Sequence, residues 1–259
     1  MCVWIEFLLI NCLNFLPLVD LKITERVACF LVDPIPFSKL CGTENLTGAK
    51  IVGGDNEHLG YLTYDKDNLL GKGTFKTVHL SSLKQVSDPP SFGLGAQTSK
   101  AIHVALKRPY NDSCSGINLK HFNYADKSWK VLTEGTLLGW ADFLLQSAYE
   151  FINDFIANQA LVEVPFEIPQ LRFVKAAIAY LEKLLNNALG ASSSTSHHVA
   201  YLLEELFPTG NLFIKYIHNA DAIPLQDHDE PGYNTAIFLC FIQHVQFILT
   251  HGQAYISDF

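Results

Sequence analysis

The chain has 259 residues, 49% of them hydrophobic and 17% charged, and a formal net charge of -8. That is enough apolar material for a large domain or two lobes with real cores, and it excludes a wholly disordered chain. An acidic chain without a basic run has little to offer a phosphate backbone, so a nucleic-acid partner is not expected.

The first stretch, "MCVWIEFLLINCLNFLPLVDL", is apolar but broken by Glu6, Asn11, Asn14 and Pro17. A membrane span needs about 20 apolar residues in a row, so no span is expected here. Without a basic start or a small-residue cleavage site it does not read as a signal peptide. It reads as a buried or partner-covered segment, or as an extension outside the domain proper. Residues 1–55 show no clear period and end in the turn-rich "CGTENLTGAKIVGGDNEHLG", so they are taken as extension and linker. Cys2, Cys12, Cys29, Cys41, Cys114 and Cys240 form no C-x-x-C pair. That scatter implies a reducing, cytoplasmic setting rather than a disulfide framework, and there the sequon-like Asn45 and Asn111 carry no weight.

From Tyr61 the pattern changes: "YLTY", "NLLGKGTFKTVHLSSL" and "KAIHVALKRPY" read as short strands joined by turns, with a Pro- and Gly-containing surface loop before the last. A helical block follows. Thr133 is the expected N-cap, and Leu137, Trp140, Ala141, Leu144, Leu145, Ala148, Phe151, Ile152 and Phe155 recur at helical spacing. Gly135 and Gly139 weaken its first turns. "IPQLRFVKAAIAYLEKLLNN" begins strand-like and turns helix-like, and "GASSSTSHH", with His197 and His198, is a small-residue loop. "VAYLLEELF" reads as a strand and "TAIFLCFIQHVQFILTHG" as a helix that Gly252 ends, with loop-exposed His251 before it; "QAYISDF" reads as a final strand. The order implies α+β with two lobes.

The chemistry sits in "LLGKGTFKTVHL". Glycines let backbone N–H groups approach phosphate oxygens. Gly71 and Gly73 supply two, but Lys76 stands where G-x-G-x-x-G has its third, and no G-K-[ST] makes a Walker A loop. Alone, the pair reads more simply as a hairpin turn. Lys107, in "VALK" about thirty residues on, could place a charge on phosphates, although a strand lysine is usually a solvated edge residue. A conventional protein kinase is disfavoured, because no H-R-D-x-x-x-x-N and no D-F-G follow.

Taken together, "GKGTFKTVHL", "VALKRP", "LLEELFPTGNLFIKYIHN" and "GQAYISDF" resemble the α-kinase family of atypical Ser/Thr protein kinases, over about Asn68 to Phe259. In that family a basic residue replaces the third glycine, as Lys76 does. The resemblance implies a two-lobed kinase-like fold, a β-rich N-lobe over about 56–203 and an incomplete mixed C-lobe over about 204–259. It implies ATP and Mg²⁺ as cofactors and phosphoryl transfer to a protein serine or threonine. Gly71, Gly73, Thr74 and Lys76 would line the phosphates, and Lys107 would contact the α- and β-phosphates. Glu204 would meet adenine at the hinge, with Leu206 at the next backbone contact and Glu205 the less favoured occupant. Lys215, Tyr216 and Asn219 match the element after the hinge. Asp258 matches the aspartate that holds metal and nucleotide. His244, fourteen residues earlier, matches a ligand to a structural Zn²⁺ in a complete domain, against a plainer reading as a core histidine. The chain stops before the family's next Gln, its catalytic Asp and the remaining zinc ligands. The alternative function is therefore a catalytically inactive, pseudokinase-like nucleotide-binding or interaction module.

Overall fold

The computed structural model describes residues 22–36, 57–73, 75–86, 94, 101–111, 120–158, 164–181, 200–207, 214–218 and 221–257. Strands β1 (Lys22–Leu31), β2 (Glu57–Lys72), β3 (Lys76–Gln85), β4 (Ile102–Asn111), β6 (Ala176–Leu181) and β7 (Ala200–Glu205) pair antiparallel in the order β3-β2-β1-β6-β7-β4. A further pairing of β3 with β4 closes the ring. The short β5 (Lys120–His121) is attached to β4. The expected mixture of strands and helices is therefore present, but the strands form a closed six-stranded barrel, a weak match to the expected two-lobed fold.

Closure demands curvature, and β2 provides it: its register with β3 shifts between Tyr64 and Leu69 and again between Leu69 and Gly71. The expected strands "YLTY" and "NLLGKG" are thus two halves of one bent strand. Lys22–Leu31, inside the stretch assigned to an extension, is a ring strand between β2 and β6. Its alternation holds from Lys22 to Arg26 but is lost where both faces are covered, so that Val27, Ala28 and Cys29 are all buried. The ambiguous "KAAIAYLEK" resolves to strand β6 for the same reason; the helix-like residues after Leu181 lie outside the described residues.

Inside the barrel, Val27, Cys29, Leu62, Leu83, Val104, Leu106, Ala177, Ala179 and Leu203 form the main core. Toward one end the interior turns polar. The hydroxyls of Tyr64 and Tyr201 lie 3.4 Å apart, the Arg108 guanidinium sits 5.7 Å over the Tyr64 ring, and His79 shares a hydrogen bond with Thr77. Lys127 enters this cluster from outside, with its ammonium 4.8 Å over the Tyr201 ring.

Helix α1 (Tyr124–Asn158) lies against the outer barrel wall. It begins well before Thr133. Asn123 caps it, accepting from the Asp126 N–H at 2.9 Å and donating through Nδ2 to the Asp126 carboxylate. Thr133 is interior to the helix, and its hydroxyl donates to the Trp129 carbonyl. Gly135 and Gly139 do more than weaken the helix. A Cβ at Gly135 would stand 2.6 Å from Ile178 Cδ1, and one at Gly139 would stand 2.8 Å from the Asp33 carbonyl oxygen. Both glycines let α1 approach the barrel closely.

The second half of α1 packs through Leu145, Ala148 and Ile152 against Phe238, Ile242 and Val245 of helix α2 (Tyr233–Leu249). α2 ends at Leu249 with Thr250, not the expected Gly252, as its C-cap; His251 at φ +52° and Gly252 at φ +78° then turn the chain, and the Gly252 N–H donates to the Phe247 carbonyl. The expected final strand is held differently. Gln243 donates to the Ile256 carbonyl at 2.7 Å, Gln246 accepts from the Ile256 N–H at 3.0 Å, and the Thr250 hydroxyl bonds both the N–H and the carbonyl of Ala254. Side chains of α2 and its C-cap thus tie down residues 254–256, of which Ile256 is also a β-bridge residue.

Candidate functional site

Strand alternation sets which residues can meet. On β4, Val104 and Leu106 point into the barrel, so Ala105 and Lys107 point outward; on β7, Leu203 points in and Glu204 out. Ala105 pairs with Glu204 and Lys107 with Leu202, so Lys107 and Glu204 are diagonal neighbours on the outer wall. The Lys107 ammonium lies 2.7 Å from Glu204 Oε1, with side chains 3% and 7% exposed. At that distance the pair has the length of a charge-assisted contact. Burying either charge alone would be costly, and each makes the other tolerable.

Glu205 alternates away from this pair. Its carboxylate takes a two-pronged contact from Arg172 and a hydrogen bond from the Lys175 N–H at 2.9 Å. Of the two, it is Glu204 that pairs with Lys107, while Glu205 is engaged by Arg172 and the Lys175 N–H.

Beside the ion pair lies a small apolar patch. Leu70, Val78 and Ala105 are buried together, with Leu80 and Leu206 packed against them. Leu206 is thus brought to the same wall as Lys107. The glycine segment is the hairpin between β2 and β3. Gly71 pairs with Val78, the Gly73 N–H donates to the Lys76 carbonyl at 2.9 Å, and the Tyr110 hydroxyl donates to the Gly73 carbonyl. The Gly73 amide is committed within the turn. Phe75 at its tip is 61% exposed. Thr74 lies outside the described residues.

Lys76 shares the outer face, and its ammonium makes a close ion pair with Glu134 of α1. The composition of the helical block gave no reason to single out Glu134. The signal that could have found it is an acidic side chain on a helix that must cover a wall carrying two lysines.

Lys215 and Tyr216 lie in irregular backbone: Gln226 Nε2 donates to the Lys215 carbonyl and the Leu225 N–H to the Tyr216 carbonyl. Asn219, His197, His198 and Asp258 lie outside the described residues. His244 is on the exposed side of α2, contrary to the plainer reading of a core histidine, and borders a cavity together with His218, Asp221 and Cys240. Among the described residues, no three His, Cys, Asp or Glu side chains form a group able to hold a metal ion, so the residues in view do not amount to a zinc site. Among the same residues, no helix is long and apolar enough to cross a membrane.

No protein-family model matches the chain, and no curated protein matches it. A solved structure of the alpha-kinase domain of myosin-II heavy chain kinase A, one with a phosphorylated aspartate, aligns over 93% of this chain and 84% of that one, at 10% identity and a TM-score of 0.42.

Proposed function

We propose that this chain binds Mg-ATP on the outer barrel wall and transfers a phosphoryl group to serine or threonine of a protein substrate. The observation that carries the reading is the buried Lys107–Glu204 pair beside an apolar patch and a glycine hairpin. Phosphoryl transfer asks a protein mainly to position phosphates and neutralise charge. Lys107, held by Glu204, supplies a fixed cation for the α- and β-phosphates. Leu70, Val78, Ala105 and Leu206 offer an apolar wall for a base. Lys76 supplies a second cation once it parts from Glu134. Asp258 would hold Mg²⁺, which would neutralise phosphate charge.

One observation favours the second reading, an inactive nucleotide-binding or interaction module. Both lysines are already neutralised, Lys107 by Glu204 and Lys76 by Glu134.

Melting of the full chain with and without Mg-ATP, together with transfer of label from γ-labelled ATP to a mixed protein substrate, separates the two. The kinase reading expects a nucleotide-dependent rise in melting temperature that Lys107→Ala abolishes, and incorporated label. Nucleotide stabilisation without label supports the inactive module. An equal ATP response in wild type and Lys107→Ala removes Lys107 from the site.

A further inference from the structure

Helix α2 is apolar on both sides. It contains no Asp, Glu, Lys or Arg. Ala236, Phe238, Leu239, Ile242 and Val245 are buried, and Phe238, Ile242 and Val245 pack on α1. The opposite side carries Asn234, Ile237, Phe241, His244 and Ile248; Ile237 is half-buried and the other four are exposed. Their positions alternate steps of three and four residues, the spacing of a seam between two paired helices. Phe247 and Leu249 are exposed near its end. A helix that faces water carries a charged or polar outer face, whereas one that is apolar all round is covered on all sides.

The stripe is complementary to itself. In a two-fold contact the same patch serves both partners, so that residue i meets j and j meets i. Set antiparallel about an axis between Ile242 and Gln243, the stripe brings Ile237 against Ile248 and Phe241 against His244, each pair twice. Charge agrees with that direction. Asp227, Asp229 and Glu230 stand exposed just before α2, whereas residues 250–257 after it hold no acid. Antiparallel helices set each acidic flank beside the acid-free end of the other and join opposite ends of the two helix dipoles. Parallel helices would set two acidic flanks together in a chain of net charge -8.

The exposed area suffices for such a contact. Phe241, Phe247, Ile248 and Leu249 are 45%, 47%, 52% and 39% exposed, which at about 200 Å² for a large side chain leaves about 350 Å² of apolar surface per copy. Interfaces are a little over half apolar, so this core belongs to a contact of about 1,200 Å² in total, the lower end of stable pairing.

We infer that the outer face of α2 is a self-association surface. A second copy of this chain docks on it antiparallel across a two-fold axis, with Ile237 against Ile248 of the partner subunit and Phe241 against His244 of the partner subunit. None of these residues belongs to the Lys107 wall, so the inference survives if the nucleotide reading fails.

Sedimentation velocity and light scattering of the full chain from about 1 to 200 µM should show a reversible monomer–dimer equilibrium, with a Kd of about 1–100 µM for a contact of this modest size. Phe241→Glu and Ile248→Glu should each weaken the dimer at least about a hundredfold, because every dimer buries the new charge twice. Both positions are exposed, so the dilute variants should melt as the wild type does. Ile237→Lys/Ile248→Glu should regain the dimer that Ile248→Glu loses, because only the antiparallel register sets each lysine against a glutamate of the partner subunit. Phe241→Glu/His244→Lys repeats that exchange where neither side chain is buried. A wild type that stays monomeric throughout overturns the inference, and flotation with phosphatidylcholine vesicles then shows whether lipid covers the face instead. A dimer left intact by Phe241→Glu and Ile248→Glu overturns it by placing the contact elsewhere. No recovery in either exchanged pair overturns the antiparallel register.

Discussion

Lys107 is the residue on which both stability and the proposed chemistry turn. A lysine 3% exposed survives only because Glu204 lies 2.7 Å away. Lys107→Met should leave a buried, unpaired carboxylate and cost about 3–5 kcal/mol in denaturant unfolding. The double variant Lys107→Met/Glu204→Leu should recover much of that loss, and no recovery would mean that the pair is not the source of the cost. Lys127 poses the opposite case. Burial, with Arg108 nearby, lowers its pKa from 10.5 to about 8, against a smaller opposing pull from Glu25. Between about pH 8 and 10.5 the folded chain has released this proton while the unfolded chain still holds it, so folding gains stability as pH rises through that window. Below pH 8 both states are charged and the contribution is flat. Lys127→Met should therefore lose this alkaline gain relative to wild type; parallel stability–pH curves for the two proteins would contradict it. Cysteine reactivity belongs to the same scale. Burial pushes the Cys29 thiol up to about 12, whereas Cys240 borders an open cavity, so a thiol reagent followed by peptide mass mapping should label Cys240 well before Cys29.

Among the elements, the helices were more legible than the strands, but not at their ends. The apolar recurrence from Leu137 to Ile152 marked α1 because one face packs on the barrel and α2, although Phe151 and Phe155 of the same recurrence lie exposed. Its start was missed because the first turns carry polar residues that face the polar barrel end, such as Lys127, and so break the apolar period. Gly139 carries a prediction here. Gly139→Ala would bring a methyl against the Asp33 carbonyl and Ile35, and overpacking of that kind costs about 1–3 kcal/mol even though alanine is the better helix former. Gly135→Ala meets the movable tip of Ile178 and should cost less. Equal melting temperatures for Gly139→Ala and wild type would show that α1 can back away from the barrel. The final segment is harder to read. "QAYISDF" has the apolar pattern of a strand, and Ile256 is a β-bridge residue, but Gln243, Gln246 and Thr250 also bond its backbone, and no sequence pattern shows side chains of a helix and its cap reaching a strand-like segment.

For the whole molecule, the closed ring was not legible. Alternation and turn signals located β2, β3, β4 and β7, yet closure depends on bends in β2 and on β1, where only Val27, Ala28 and Cys29 are covered on both faces and interrupt the alternation. Of the candidate site, Lys107, Glu204, Leu206 and Lys76 were named from sequence and share one wall. Glu134 was not, because an ion pair between a loop strand and a distant helix leaves no local trace. The ring makes a prediction at this scale. Deleting Lys22–Leu31 would expose the edges of β2 and β6, so the shortened chain should aggregate or lose cooperative unfolding. A soluble, cooperatively melting product would show that the strand is dispensable.

The position of β1 also bears on how the chain is made. Val27 pairs with Leu181 and Phe30 with Ile178, so the first strand's second partner is encoded beyond the whole of α1. During synthesis β1, β2, β3 and β4 can associate as they emerge, but the ring cannot shut until β6 and β7 have left the ribosome. Until then β1 and β4 each present an open flank, and the slow step is the late arrival of two short strands that must fit between them. A pause in translation shortly after Asn158 would prolong that vulnerable state, whereas one late enough for Glu205 to have left the ribosome would find the barrel able to close.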